Sequence, residues 1–316
     1  MPKLENAFMF LLVLSVALVL CSCVADVPSN SVAENHVSEN GQLAANTDND
    51  EQPTPPQRVV VLSSSLAEMW LLAGGTLLGT SSDTLERGFT DVPTDIAVVG
   101  TVQGPSLEAI LELKPDFILM SADLTEHVAL EQALKSANIR YYYAKVKSFS
   151  EYLTVLEYLC GLTGNLAMFE QNGRAVQAQI DTLLKNYQPA NPPPSYLLMR
   201  VHSSGGKVIA NDHVACDILD VLGAVNIASK NQNLLSDLSL EAILESDPEH
   251  IFVLTMGDEA AAMQTLEQVF TVQPAWQQLE AVQKDNLHIL PRELFHHKPN
   301  AKWGEAYAYL IDLLAS

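Results

Sequence analysis

Eight histidines are present, and four of them, His202, His213, His296 and His297, could converge on one site. Imidazole is a good ligand for haem iron, cobalt or zinc. The same side chains serve equally as hydrogen-bonding lining of a pocket, and the adjacent His296 and His297 need not point the same way. The run Ser63-Ser64-Ser65 follows the β-branched stretch Val59 to Leu62, so it reads as a strand end capping a helix rather than as a nucleophile. No G-x-S-x-G elbow exists: Gly79-Thr80-Ser81-Ser82-Asp83 breaks after the serine. Gly74 and Gly79 have the first spacing of a phosphate-binding loop, but Thr80 and Ser81 stand where lysine is required. Cys160 and Cys216 sit in apolar, helix-like contexts and read as small buried hydrophobes rather than as a disulfide or metal pair. An extracytoplasmic hydrolase using these serines and histidines is the minor alternative.

The elements that position these residues are bounded by composition. The chain has 316 residues, 48% apolar and 17% charged, which suffices for a large core. Acidic residues outnumber basic ones 38 to 17, a net charge of −21. That excludes a nucleic-acid binder, which needs a basic footprint, and attachment to an anionic membrane through a basic patch. No nucleic acid is expected as a partner. The apolar run from Ala7 to Leu20 suits the core of a secretory signal and is short for a bilayer span. Leu20-Cys21-Ser22-Cys23 looks like a bacterial lipobox, with an aliphatic residue at −3 and a small one at −1. The likeness implies a signal peptide over 1–22, cleavage before Cys23 and acylation of Cys23. Residues 24–57 are polar and lack aromatics, with no lysine or arginine before Arg58. Such a segment cannot offset its ordering entropy, so 23–57 reads as a lipidated cysteine and tether of roughly 30–35 Å.

An internal repeat implies the architecture. Residues 106–120, SLEAILELKPDFILM, and 239–253, SLEAILESDPEHIFV, agree at nine of fifteen positions. Each copy has a serine N-cap, a short helix, a proline stop and an apolar run of buried-strand length. The offset is one lobe, so two similar lobes are expected. Strands are expected at Val59–Leu62, Leu77–Thr80, Ala97–Val99, Phe117–Met120 and Arg140–Tyr143, then at Tyr196–Val201, Val208–Ala210, His250–Thr255 and Leu287–Leu290. Strands alternating with helices indicate mostly parallel sheets. From Asn165 to Tyr187 the residues Phe169, Gly173, Val176, Ile180, Leu183 and Tyr187 recur at spacings of three and four, which predicts one amphipathic helix of about 35 Å. Pro189 and Pro192-Pro193-Pro194 end it. The fold class expected is α/β: two Rossmann-like lobes joined by one long spine helix, with a ligand cleft between them.

In this order the chain resembles the helical-backbone solute-binding proteins of ABC importers, in the branch that captures ferric siderophores, haem and vitamin B12. The residues that carry the likeness are Arg58 through Glu68, Val99-Gly100 through Asp116, Asp217 through Gly223 to Asn226, and Leu290-Pro291-Arg292-Glu293-Leu294-Phe295 leading into a helix over 301–314. The binding domain would span 58–316, with one lobe at 58–147, linker and spine at 148–187, and the second lobe at 188–316. The resemblance implies that an exposed acid on each lobe docks on the permease, and Glu108 and Glu241 hold the equivalent positions of the repeat. A glutamate in the first helical turn is also favourable for the helix dipole alone. Ligand is expected where strands end between the lobes: Ser63, Ser64, Ser65, Val102, Gln103, Ser121 and Asp123 on one side, and Arg200, His202, His213, Met256, Phe295, His296 and His297 on the other. Val102 and Gln103 stand where some siderophore-binding relatives carry an arginine. The implied protein is an extracytoplasmic lipoprotein, expected to be a monomer, with no covalent chemistry and no resident cofactor. Its ligand would itself carry iron or cobalt, and its permease dimer would be driven by a separate ATPase. A zinc- or manganese-binding protein of the same architecture is the nearer alternative.

Overall fold

The computed structural model describes residues 54–229, 234 and 240–315, without the side chain of Val269. The signal segment, Cys23, residues 24–53 of the tether and Ser239 lie outside the described residues. Thr54 to Gln57, read above as the end of the tether, are hydrogen-bonded to the first lobe. The Arg140 guanidinium donates to the Thr54 carbonyl, and the Gln57 N–H donates to Asp116.

The first lobe has β1 (Val59–Val61), β2 (Gly79–Thr80), β3 (Ala97–Val98), a hairpin of β4 (Gly100–Thr101) and β5 (Gly104–Pro105), then β6 (Phe117–Ser121) and β7 (Arg140–Ala144). Its five-stranded sheet has the order β3-β2-β1-β6-β7 and is parallel throughout. The second lobe has β8 (Ser195–His202), β9 (Gly205–Ile209), β10 (Val225–Asn226), β11 (His250–Thr255) and β12 (Leu287–Ile289). There β10-β8-β11-β12 are parallel, and β9 turns back antiparallel on β8. The strands fall close to where the apolar runs put them. The exceptions are β9, which begins three residues before Val208, and the two-residue strands β4, β5 and β10, which no apolar run predicts. Gly205 and Gly206 carry no strand propensity of their own, and pairing with β8 recruits them.

Strand alternation divides the interior into three layers. Val60, Leu62, Ile118, Met120, Tyr141 and Tyr143 face one layer of the first lobe. Leu197, Met199, Val201, Ile251 and Val253 face a corresponding layer of the second. The intervening residues, Val59, Val61, Phe117, Leu119 and Tyr142 on one sheet and Tyr196, Leu198, Phe252 and Leu254 on the other, belong to a single apolar cluster. Three helical segments join that cluster across the lobes. The helix Phe149–Thr163 starts with a capping box, in which Ser148 accepts from the Glu151 N–H and Glu151 accepts from the Ser148 N–H. It stops at Gly164, whose φ of 72° is the left-handed cap that glycine favours. The spine then runs without interruption through Leu166–Phe169, one π-helical turn at Glu170–Arg174, and Ala175–Asn186. The third segment, Trp303–Leu314, packs against the spine, with Trp303 fully buried against Phe149 and Tyr152.

Gly173 sits in the π-helical turn, where a Cβ would stand 2.9 Å from the Phe169 ring and 3.2 Å from Leu153 on the preceding helix. Gly304, by contrast, would meet only the far end of the Gln179 side chain. We therefore expect Gly173→Val to cost about 1–3 kcal/mol in urea unfolding, as overpacking does. Gly304→Ala should stay within about 0.5 kcal/mol of the parent, because a flexible side chain can move aside.

Candidate functional site

In a parallel sheet the loops leaving the carboxyl ends of the strands gather on one edge, and ligands bind there. Both sheets turn that edge toward a common cavity of about 320 Å³. Ser65 follows β1, Asp123 and Leu124 follow β6, and Lys147 follows β7. From the second lobe come Arg200 near the end of β8, Asp212, His213 and Val214 beyond β9, and Met256 after β11. The floor is the segment Phe295–Lys298 after β12. This segment crosses back to the first lobe. The Lys298 N–H donates to the Ser65 hydroxyl, its ammonium donates to the Val146 carbonyl, and the Asn300 amide donates to the Ser65 carbonyl and to Glu68.

Hydrogen bonding separates the imidazoles. The His213 Nδ1 accepts from the Ala215 N–H at 3.1 Å, capping the helix Val214–Val221, and its Nε2 lies 2.9 Å from the Phe295 carbonyl. The ring therefore carries its proton on Nε2, and burial, followed by the Arg200 and Lys298 charges, pushes its pKa down to about 3. The His296 Nδ1 is 3.1 Å from the Thr255 carbonyl, which also accepts from Arg292. His297 packs edge-on against His296 and, among the described residues, makes no hydrogen bond through either nitrogen. Burial and then the Arg87 cation hold its pKa down to about 4, so it presents a neutral imidazole to the cavity.

The periplasmic binding protein pattern matches residues 59–294. The chain belongs to that family. Over 243 residues it is 27% identical to the iron-uptake system-binding protein of Bacillus subtilis, covering 72% of this chain and 70% of that one. It is 26% identical to the probable siderophore-binding lipoprotein YfiY of the same organism, covering 90% of each. The crystal structure of Staphylococcus aureus IsdE complexed with heme shares the fold, with a TM-score of 0.64 at 18% identity over 82% of this chain and 99% of that one. The family is one of binding proteins, not enzymes.

Within this periplasmic binding protein the residues expected at the ligand divide clearly. Ser65, Asp123, Arg200, His213, Met256, His296 and His297 line the cavity, and Phe295 reaches it from a fully buried position, its ring packed on Tyr309. Ser63 is spent as the cap of the helix Ser64–Leu72, and Ser64 is buried with its N–H donating to Asp83. Ser121 accepts from the Asp123 N–H and so shapes the loop. Val102, Gln103 and His202 stand outside the cavity lining. The Val102 carbonyl is fixed by buried His127, whose Nδ1 accepts from the Ser121 N–H. Among the described residues no three His, Cys, Asp or Glu side chains gather to hold a bare metal ion.

Sequence reading passed over Lys147 and Lys298. Lys147 sits 2.5 Å from Asp212 and 3.5 Å from Asp123, and the Asp212 bond raises its pKa. Lys298 is depressed by burial. Among the described residues the buried Arg200 Nε has no hydrogen-bond partner, a state that costs about 1–3 kcal/mol.

His127, His213, His250, His288, His296 and His297 all have pKa values lowered mainly by burial. Unfolding lets each take up a proton near 6.5, so stability is present above that pH and is lost as pH falls. Asp217, raised to about 6 by burial, acts in the opposite sense, losing stability as pH rises from 3.8 to 6. Asp220, also raised by burial, acts in the same sense as Asp217; six groups outweigh two, and the melting temperature should fall from pH 6.5 to 4.5. His213→Asn keeps a capping side chain, loses the bond to Phe295, and should show a lower neutral-pH melting temperature with a shallower acid slope.

Proposed function

We propose that this protein is an extracytoplasmic, lipid-anchored substrate-binding protein of an ABC importer. It captures an iron complex, siderophore or haem, or a corrinoid between its lobes and hands it unchanged to the permease. The observation that carries the reading is the cavity itself: side chains from the carboxyl edges of two sheets, together with a returning segment, enclose one space that either lobe alone would leave open. The names of the iron-uptake, siderophore and heme-binding relatives agree with a metal-bearing cargo. The lipobox at Cys23 supports an anchor, and replacing Cys23 by Ala should move the protein from the membrane to the soluble fraction.

Glu108 and Glu241 are exposed at the second position of matching helices, Leu107–Glu112 and Leu240–Ser246. In a parallel unit a helix runs back from the carboxyl edge, so both carboxylates lie at the edge where the cavity opens. Docking on basic pockets of two permease subunits would use such a pair. Replacing both by Ala should abolish uptake into cells and leave cargo affinity intact. A loss of affinity would instead place them in the site.

The cargo is tested by quenching of tryptophan fluorescence with a panel of ferric chelates, haem and cobalamin. His297→Ala should weaken the bound member at least tenfold, about 1.4 kcal/mol. Its ring is the cavity imidazole with both nitrogens unengaged. An unchanged affinity would remove it from the cargo contact.

A further inference from the structure

The ion pair of Lys147 with Asp212 joins a first-lobe cation to a second-lobe carboxylate across the mouth of the cavity. Its two partners are unequal. Asp212 has its side chain 70% exposed, on the loop between β9 and the helix Val214–Val221. Lys147 stands directly before the Ser148 cap and lies within reach of a second carboxylate, Asp123. Two more basic side chains face the same space. Lys298 is anchored by its ammonium to the Val146 carbonyl, and Arg200 keeps a buried Nε with no partner. Three basic groups thus converge from both lobes and the crossing segment, and of the two carboxylates beside Lys147 the more exposed is Asp212. An acceptor oxygen is missing at Arg200, while a protein carboxylate occupies Lys147.

We propose that Asp212 fills the cargo's own anion subsite, so that the cargo is a carboxylate-bearing metal chelate which displaces Asp212 from Lys147 and completes Arg200. This rests on the reading of the cavity as the cargo site. It adds a chemical class and a residue that sets affinity by competing. A carboxylate of the cargo inherits the ion pair already formed in the empty protein, and the displaced Asp212 returns to water at little cost because it is already largely solvated. A neutral cargo could satisfy Arg200 with an amide or carbonyl oxygen but would leave the Lys147–Asp212 pair in place.

The alternative role for the pair is a clamp that favours the closed arrangement of the lobes. The two roles predict opposite signs. Full-length protein, its Asp212→Asn form and its Lys147→Met form are titrated with ferric citrate, hemin and cyanocobalamin, the last having no free carboxylate. Asp212→Asn should tighten ferric citrate or hemin at least threefold and leave cyanocobalamin unchanged. Lys147→Met should weaken the same anionic probe at least tenfold, with its melting temperature retained. Raising salt should weaken the anionic probe more in Asp212→Asn than in the parent, since the extra attraction is electrostatic. If Asp212→Asn weakens every probe alike, the pair is a closure clamp and the inference falls. Unchanged affinity for the anionic probes, or binding of cyanocobalamin alone, also overturns it. Failure of all three probes to bind the parent would count against the cavity as the site for such cargo, a different failure from a wrong sign in the variants.

Discussion

One buried apolar layer runs unbroken behind the cavity, and the relation of the lobes depends on it. Val59 and Phe117 of the first sheet, Val176 and Ile180 of the spine, Trp303 and Leu310 of the last helix, and Leu198 and Phe252 of the second sheet all belong to that layer. Interiors of this kind are packed like organic crystals, so a swing of one lobe would open voids along its whole length. Each buried aliphatic or aromatic side chain there is worth about 1.5–3 kcal/mol. Motion between the lobes is therefore confined to small rotations at the cavity side, where polar loops meet. A stiff joint suits the proposed capture of a cargo between the lobes.

The segment after β12 adds a second constraint, polar where the first is apolar. Asn300 is fully buried with a φ of 52°, in the left-handed region that a side chain rarely adopts. Its amide reaches both the Ser65 carbonyl and Glu68, and Glu68 is in turn paired with Arg87 at 2.8 Å. Strained backbone persists where its surroundings over-determine it. Here the bonds to the first lobe do so, and the result is to set the Lys298 ammonium beneath the cavity and the His297 ring at its wall. The floor of the site is thus built by a stretch of chain that has left one sheet and is already bound to the other.

What could be read from the sequence follows from the same division. Lobes, strands and spine rest on periodic burial of apolar residues, which local sequence displays directly. The spacing of Phe169, Val176 and Ile180 marked the buried face of the spine, and the structure buries those residues. The repeat at Leu107 and Leu240 signalled two like halves before any strand was paired. The cavity was legible by place rather than by side chain. The loops after β1, β6, β8 and β11 are where strands end, yet of Ser63, Ser64 and Ser65 only the last faces the space, because one hydroxyl is used as a cap and the next residue turns inward. Lys147 and Lys298 escaped notice because each looks locally like an ordinary solvated lysine. Their roles come from partners 65 and 152 residues distant, Asp212 and Val146. Pairing of that kind has no local signature. The His213 role was hidden for the same reason, since its second partner is Phe295.

The whole chain is acidic while the cavity gathers basic side chains, and both bear on the proposed anionic cargo. A net charge of −21 repels such a cargo at long range. Salt screens that repulsion over about 8 Å at physiological ionic strength, so it fades within a few layers of water. Inside the cavity the relevant charges are few and close. Lys147, Arg200 and Lys298 face Asp123 and Asp212, and burial lowers the pKa of Lys298. Local geometry therefore decides binding, while the acidic exterior acts on other things: it opposes association with anionic surfaces and favours approach to a basic partner. On the proposed function, an acidic shell around a pocket lined by basic side chains would let one protein approach a positively charged docking face and still hold a negatively charged chelate.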